Sequence, residues 1–181
     1  MKKYRDDYKL VIKTDERGRQ ITTTAYQGDY FEVKFDKGNI THLKRYCLLL
    51  LVVSAALHIA GGFIGNQGMY QFYIALPYAI AFFPLLHLAM GIVSLPKEKK
   101  KYRRDEIGTS FERMKTASII LLILLGFGAA GETLFLLFHS AIGEWQLEYL
   151  YLAVEVLAGA AIGLLITMQR KIKIWKISKK K

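Results

Sequence analysis

Four long apolar runs dominate this chain and decide what it can fold into. They lie at about 45–65, 72–95, 116–139 and 147–168, each near 20 residues, and beyond the boundary Arg45 none holds a lysine or arginine. At ~1.5 Å of rise per residue, such a run crosses the ~30 Å hydrocarbon core of a bilayer as a helix. Soluble domains interleave apolar and charged residues at strand or helix spacing, whereas here the two are segregated along the sequence. The expected fold is therefore an all-α integral membrane protein, a four-transmembrane-helix bundle. Pro77 and Pro84 fall inside the second run, where neighbouring helices can satisfy the carbonyls that a proline frees.

The basic residues set the expected orientation. Eleven precede the first run, eight separate the second from the third, and seven follow the fourth, which is the whole complement of 26. The segments around Asn66–Gly68 and Ser140–Gln146 have none. Positive residues stay inside, so the sequence predicts both termini in the cytoplasm (N-in/C-in) and a multi-pass location in the cell (inner, cytoplasmic) membrane. Aromatic residues mark both expected interfaces, with Tyr70, Tyr73, Trp145 and Tyr149 at the outer one and Tyr46, Tyr102 and Trp175 at the inner. The net charge of +11 then reflects topology and attraction to anionic lipid headgroups. No nucleic-acid motif accompanies it. No apolar stretch occurs in the first 40 residues, so the first run is expected to serve as targeting signal and first span together. The single cysteine, Cys47, supports neither a disulfide nor a CxxC site.

Three parts follow. Residues 1–42 are a cytoplasmic β-rich segment, 43–169 the membrane domain, and 170–181 a basic tail. Tyr8–Thr14, Gln20–Tyr26 and Tyr30–Phe35 read as strands, separated by turn signals at Asp15–Arg19 and Gln27–Asp29, and predict a small β-meander. So small a sheet needs a covering surface: the membrane face, the basic middle loop or a protein partner. In the middle loop, Thr109 or Ser110 is the expected N-cap of the third helix. The tail alternates isoleucine with lysine, and either extends the fourth helix along the interface or pairs as a strand with the N-terminal segment.

Polar residues at membrane depth are the candidate functional group, because ionisable side chains there cost ~2–3 kcal/mol or more and face the protein interior. Four qualify: His58, His87, Glu132 and Glu155. Each shares a helical stripe with small residues, including the GxxxG spacings Gly61/Gly65 and Gly159/Gly163, which predict close helix packing. Counted from the nearest basic residue, His58, Glu132 and Glu155 lie ~20, ~25 and ~22 Å deep and His87 ~15 Å. The first three thus share a level and can form a cluster. His139, Glu144 and Glu148 are assigned to the outer interface.

A His/Glu set has the right ligand types for a metal but lacks any spacing such as HExxH, and no nucleophile–base arrangement, P-loop or GxGxxG occurs. No metal, cofactor or enzymatic activity is expected. The expected function is a non-enzymatic subunit or scaffold of a membrane complex, with lipid and a protein partner at the N-terminal segment. The alternative is a proton- or cation-coupled transporter using the intramembrane Glu/His set, as a homo-oligomer because four helices make a thin pore wall.

Overall fold

The computed structural model describes residues 2–14, 20–35, 39–138 and 145–177. Four helices are long and apolar enough to cross a membrane: α1 (Ile40–Gly61), α2 (Phe72–Val93), α3 (Arg104–Phe138) and α4 (Trp145–Gln169). They occupy the four apolar runs, with shifted ends. α1 begins five residues earlier than the hydropathy boundary and stops at Gly61, so Gly65 falls outside it. α3 begins at Arg104, where the Glu106 carboxylate accepts the backbone N–H of Arg103 at 2.9 Å.

That start corrects the expected N-cap. Thr109 and Ser110 lie inside α3, in a π-helical stretch, Gly108–Glu112. Their hydroxyls donate back to the carbonyls of Asp105 and Glu106. Side-chain bonds of this kind compete with the regular backbone ladder, and they coincide here with its widening.

Only 28–33% of each apolar window is buried. The outward faces carry Leu49, Val52, Phe83, Phe127 and Leu157, all exposed. In water, so large an apolar surface would be a severe liability, whereas in lipid it is the expected exterior.

α2 packs on α3, α3 on α4, and α4 on α1, while α1 touches α2 over a smaller area. The core runs through Leu43, Cys47 and Leu51 of α1, Leu88 and Ile92 of α2, Leu121 and Leu125 of α3, and Ile162 and Leu165 of α4. The closest helix approaches are at Gly91 and Gly131. A Cβ at Gly91 would stand 3.0 Å from the backbone nitrogen of Met114. One at Gly131 would stand 3.1 Å from Ile74 Cγ1 and 3.3 Å from the Tyr73 carbonyl oxygen. That carbonyl lies four residues before Pro77, the position from which a proline removes the helical donor.

The GxxxG expectation is corrected accordingly. Gly61 is close-packed, its Cβ position 3.2 Å from Glu155 Oε1. Gly65 and Gly163 have no neighbour within 4 Å, and Gly159 meets one leucine methyl at 4.0 Å.

The β segments form two sheets in place of one meander. β1 (Tyr8–Thr14) and β2 (Gln20–Tyr26) make an antiparallel hairpin with Tyr8 opposite Tyr26. Its expected turn, 15–19, lies outside the described residues. β3 (Tyr30–Phe35) leaves β2 and becomes the centre of a second sheet, between β4 (Tyr102–Arg103) and β5 (Ile172–Lys176). The reason is the one-sided apolar face of β3: Phe31, Val33 and Phe35 pack against the ends of the helices. The chain emerging from α4 supplies the matching strand, with Ile174 opposite Val33 and Ile172 opposite Phe35. Of the two expected courses for the tail, strand pairing is the one observed. This sheet therefore joins all three sequence parts, and it defines a sheet end of the molecule opposite a loop end at Gly62–Gln71.

The hairpin is tethered to the sheet end by tyrosines. Tyr8 Oη donates to Asp105 at 2.8 Å, and Tyr26 Oη donates to the Asp29 carbonyl at 2.7 Å while accepting the Arg104 N–H at 3.0 Å. Desolvation pushes both phenols above their usual titration range, with Asp105 adding to the rise at Tyr8. Both stay protonated donors at neutral pH.

Candidate functional site

Among the described residues, the buried ionisable groups His58, Glu132, Glu148 and Glu155 gather at the loop end. On α4, Glu148, Tyr151 and Glu155 follow at i, i+3 and i+7, a single helical face, and all three are buried. α1 brings Ser54 and His58 to the same end, α3 brings Glu132, and the connection after α1 brings Asn66.

His58 and Glu155 form the first unit. His58 Nδ1 lies 2.9 Å from Glu155 Oε1, and His58 Nε2 lies 3.2 Å from the Tyr78 carbonyl oxygen. The imidazole is boxed by the rings of Tyr78 and Phe82, with centroids 4.3 and 4.9 Å away. Tyr78 Oη donates to the His58 carbonyl at 3.0 Å, so the two residues clamp each other. One turn earlier, Ser54 Oγ donates to the Ala158 carbonyl at 3.2 Å.

These contacts fix a proton count. A carbonyl only accepts, so Nε2 carries hydrogen. The Nδ1–Oε1 contact then needs one further proton, on the imidazole or on the carboxyl. Either way His58 and Glu155 together carry no net charge, which limits the cost of burying them. Gly61 lies against this pair, and a Cβ there would press on Glu155 Oε1 at 3.2 Å.

Glu132 and Glu148 form the second unit. Glu148 accepts Asn66 Nδ2 at 3.0 Å and the backbone N–H groups of Gln67 at 2.6 Å and Gly68 at 3.3 Å. The same Asn66 amide reaches Glu132 Oε2 at 3.4 Å. Gly68 is pressed against the Glu132 carboxylate, and any Cβ there would collide with it. The loop thus folds its backbone donors in between the helices. Three polar atoms here have no protein partner: Asn66 Oδ1, Glu132 Oε1 and Tyr151 Oη.

Placement differs from the sequence expectation at several points. His58 and Glu155 are brought together. Glu132 does not join them: it pairs with Asn66 and neighbours Glu148. Glu148, assigned to the interface, is buried among three donors and is the missed member of the set. His87 is corrected: it is exposed, and lines a groove of about 540 Å³ on the outer side of α2 and α3 with Glu112, Arg113 and Thr116. Leu88, one residue and ~100° on, takes the inward position. His139 and Glu144 lie outside the described residues.

Among the described residues no group of three His, Cys, Asp or Glu side chains could hold a metal ion. Neither that groove nor a larger cleft of about 1020 Å³ at the sheet end is lined by any member of the loop-end set. Cys47, fully buried in the core, is remote from it in sequence and on the opposite half of α1. Chemically, the arrangement can join helices and hold a loop. Comparison with protein-family models, with curated proteins and with solved structures gives no match. What the fold defines is a class: four apolar helices of membrane-crossing length, joined by polar groups at one end and capped by a sheet at the other.

Proposed function

We propose that this chain is a multi-pass protein of the cytoplasmic membrane with both termini in the cytoplasm, acting as a non-catalytic subunit or scaffold of a larger membrane assembly. The observation that carries the reading is that the carboxylates at membrane depth are engaged by the protein itself. Glu155 is held by His58, Glu148 by three N–H donors, and Glu132 by Asn66. Groups committed to one another stabilise an arrangement of helices; transported ions need ligands that can exchange with water.

The orientation rests on charge: the basic segments all adjoin the sheet end, and the loop end at 62–71 has no lysine or arginine. Labelling can test it. Cys47 is buried, so single cysteines can be read against it. A membrane-impermeant maleimide added to intact cells should label Tyr70→Cys, at a position 88% exposed, and should reach Lys101→Cys only after permeabilisation. The reverse pattern would overturn the orientation.

The hairpin is the surface proposed for partner docking. It carries Leu10 and Ile12, 73% and 66% exposed, and a two-stranded hairpin is marginal on its own. Deleting residues 2–26 should leave unfolding in detergent nearly unchanged, while stoichiometric partners present with the full chain in native membranes are lost. An identical partner set after deletion would sink the docking role.

The transporter reading draws on one observation, the unpartnered Glu132 Oε1 and Tyr151 Oη in the buried set. It predicts ion flux through the isolated protein.

A further inference from the structure

The sheet end contains a cleft of about 1020 Å³ between α3 and α4, roofed by Phe31 of β3 and Ile172 and Ile174 of β5. This is at the upper end of the ~300–1,000 Å³ usual for ligand sites. Its lining holds three cations, Arg104, Lys115 and Arg170, and Glu112 as the single acid, with apolar Ile107, Phe111 and Met114 between Arg104 and Lys115. Deeper in, Ile119, Leu122, Ile123 and Ile166 are apolar. From Lys115 to Ile123 the apolar wall descends ~12 Å along α3.

Gln169 lines the cleft and is only 9% exposed. Its Oε1 lies 3.2 Å from Ser118 Oγ, whose single proton is shared between that oxygen and the Lys115 carbonyl 3.0 Å away. Its Nε2 has no partner. Cations beside a hydrocarbon wall are matched by an amphiphile with an anionic head and an apolar tail.

We propose that this cleft binds one anionic phospholipid, its phosphate at Lys115 and Arg170 and an acyl chain along Ile119, Ile123 and Ile166. The proposal rests on the membrane reading above, which places the sheet end at headgroup level. It goes beyond general attraction of basic loops to acidic lipid, because it names one site with one occupant.

Native mass spectrometry of the full chain in detergent, titrated with phosphatidylglycerol or phosphatidylcholine of equal chain length, tests it. One phosphatidylglycerol should be retained at about tenfold lower lipid concentration than phosphatidylcholine. Lys115→Gln with Arg170→Gln should weaken phosphatidylglycerol binding by about tenfold to thirtyfold, the scale of two lost cation–headgroup contacts. Both side chains are exposed, so the fold does not depend on them. Lys9→Gln with Lys101→Gln, equal in charge change but outside the cleft, should leave binding unchanged.

Equal retention of the two lipids, or equal loss in both double variants, would overturn the site. Displacement of the lipid by inorganic phosphate or by glycerophosphoglycerol at matched concentration would also overturn it, since the acyl chain would then contribute nothing. The two readings fail separately. Reversed cysteine labelling would refute the orientation and leave lipid selectivity in micelles intact, and lost selectivity would leave the labelling intact.

Discussion

Replacing His58 with leucine should destabilise the protein by about 2–4 kcal/mol in reversible unfolding from detergent micelles. Truncating one member of a buried ionic pair costs ~3–5 kcal/mol in soluble proteins, while interhelical hydrogen bonds in membranes average below ~1 kcal/mol. The estimate sits nearer the former because the loss is compound. Glu155, 2% exposed, would keep its proton or its charge with no partner, and the Tyr78 carbonyl would lose its imidazole donor. Glu155→Gln should cost less than about 1 kcal/mol, because its amide can donate to Nδ1 of a neutral imidazole whose Nε2–H still reaches Tyr78. In the Glu155→Gln background, His58→Leu should cost at least ~1 kcal/mol less than in the parent. Strictly additive costs would mean that the 2.9 Å contact carries no coupling.

Gly91→Leu should be the most damaging glycine substitution among the helices. The Cβ would stand 3.0 Å from Met114 N and 3.1 Å from its Cα, and backbone atoms in a packed helix cannot move aside separately. Overpacking of a core costs ~1–3 kcal/mol when side chains can adjust, so separating α2 from α3 should reach or exceed the upper figure. Gly163→Ala, with no atom within 4 Å, should be neutral or stabilising, since alanine is the better helix former by up to ~1 kcal/mol. Thermal unfolding of the two variants side by side decides the matter. A larger loss at Gly163 than at Gly91 would restore the GxxxG faces as the principal packing surfaces.

Hydropathy alone located the four helices, because twenty uninterrupted apolar residues admit few other folds. It could not locate their ends. α3 begins at Arg104 on account of the Glu106 cap and the π-helical stretch, local hydrogen bonding that lies outside the apolar window. Depth counting put His58, Glu132 and Glu155 on one level, and of these His58 and Glu155 meet because α1 packs on α4. It failed for Glu148, whose donors come from the backbone of a returning loop at Gln67 and Gly68, invisible to any helical projection. It failed for His87 because depth fixes position along an axis and says nothing of rotation about it.

One signal was available and unread: Glu148, Tyr151 and Glu155 share a face at i, i+3 and i+7. The strand β3 illustrates a different limit. Its alternation was legible, but its partners lie more than 60 residues away in sequence, and the apolar ends of the helices selected them over the adjacent hairpin.

The central claim, that the polar set at membrane depth joins helices and conducts nothing, is tested most directly by flux. The full chain is reconstituted in liposomes with a pH-sensitive dye inside, and a proton or monovalent-cation gradient is applied to the parent, Glu132→Gln and Glu155→Gln. The account predicts dye responses in all three that match protein-free vesicles. Gradient-driven flux in the parent that either glutamine variant abolishes would contradict it and establish the set as a transport path.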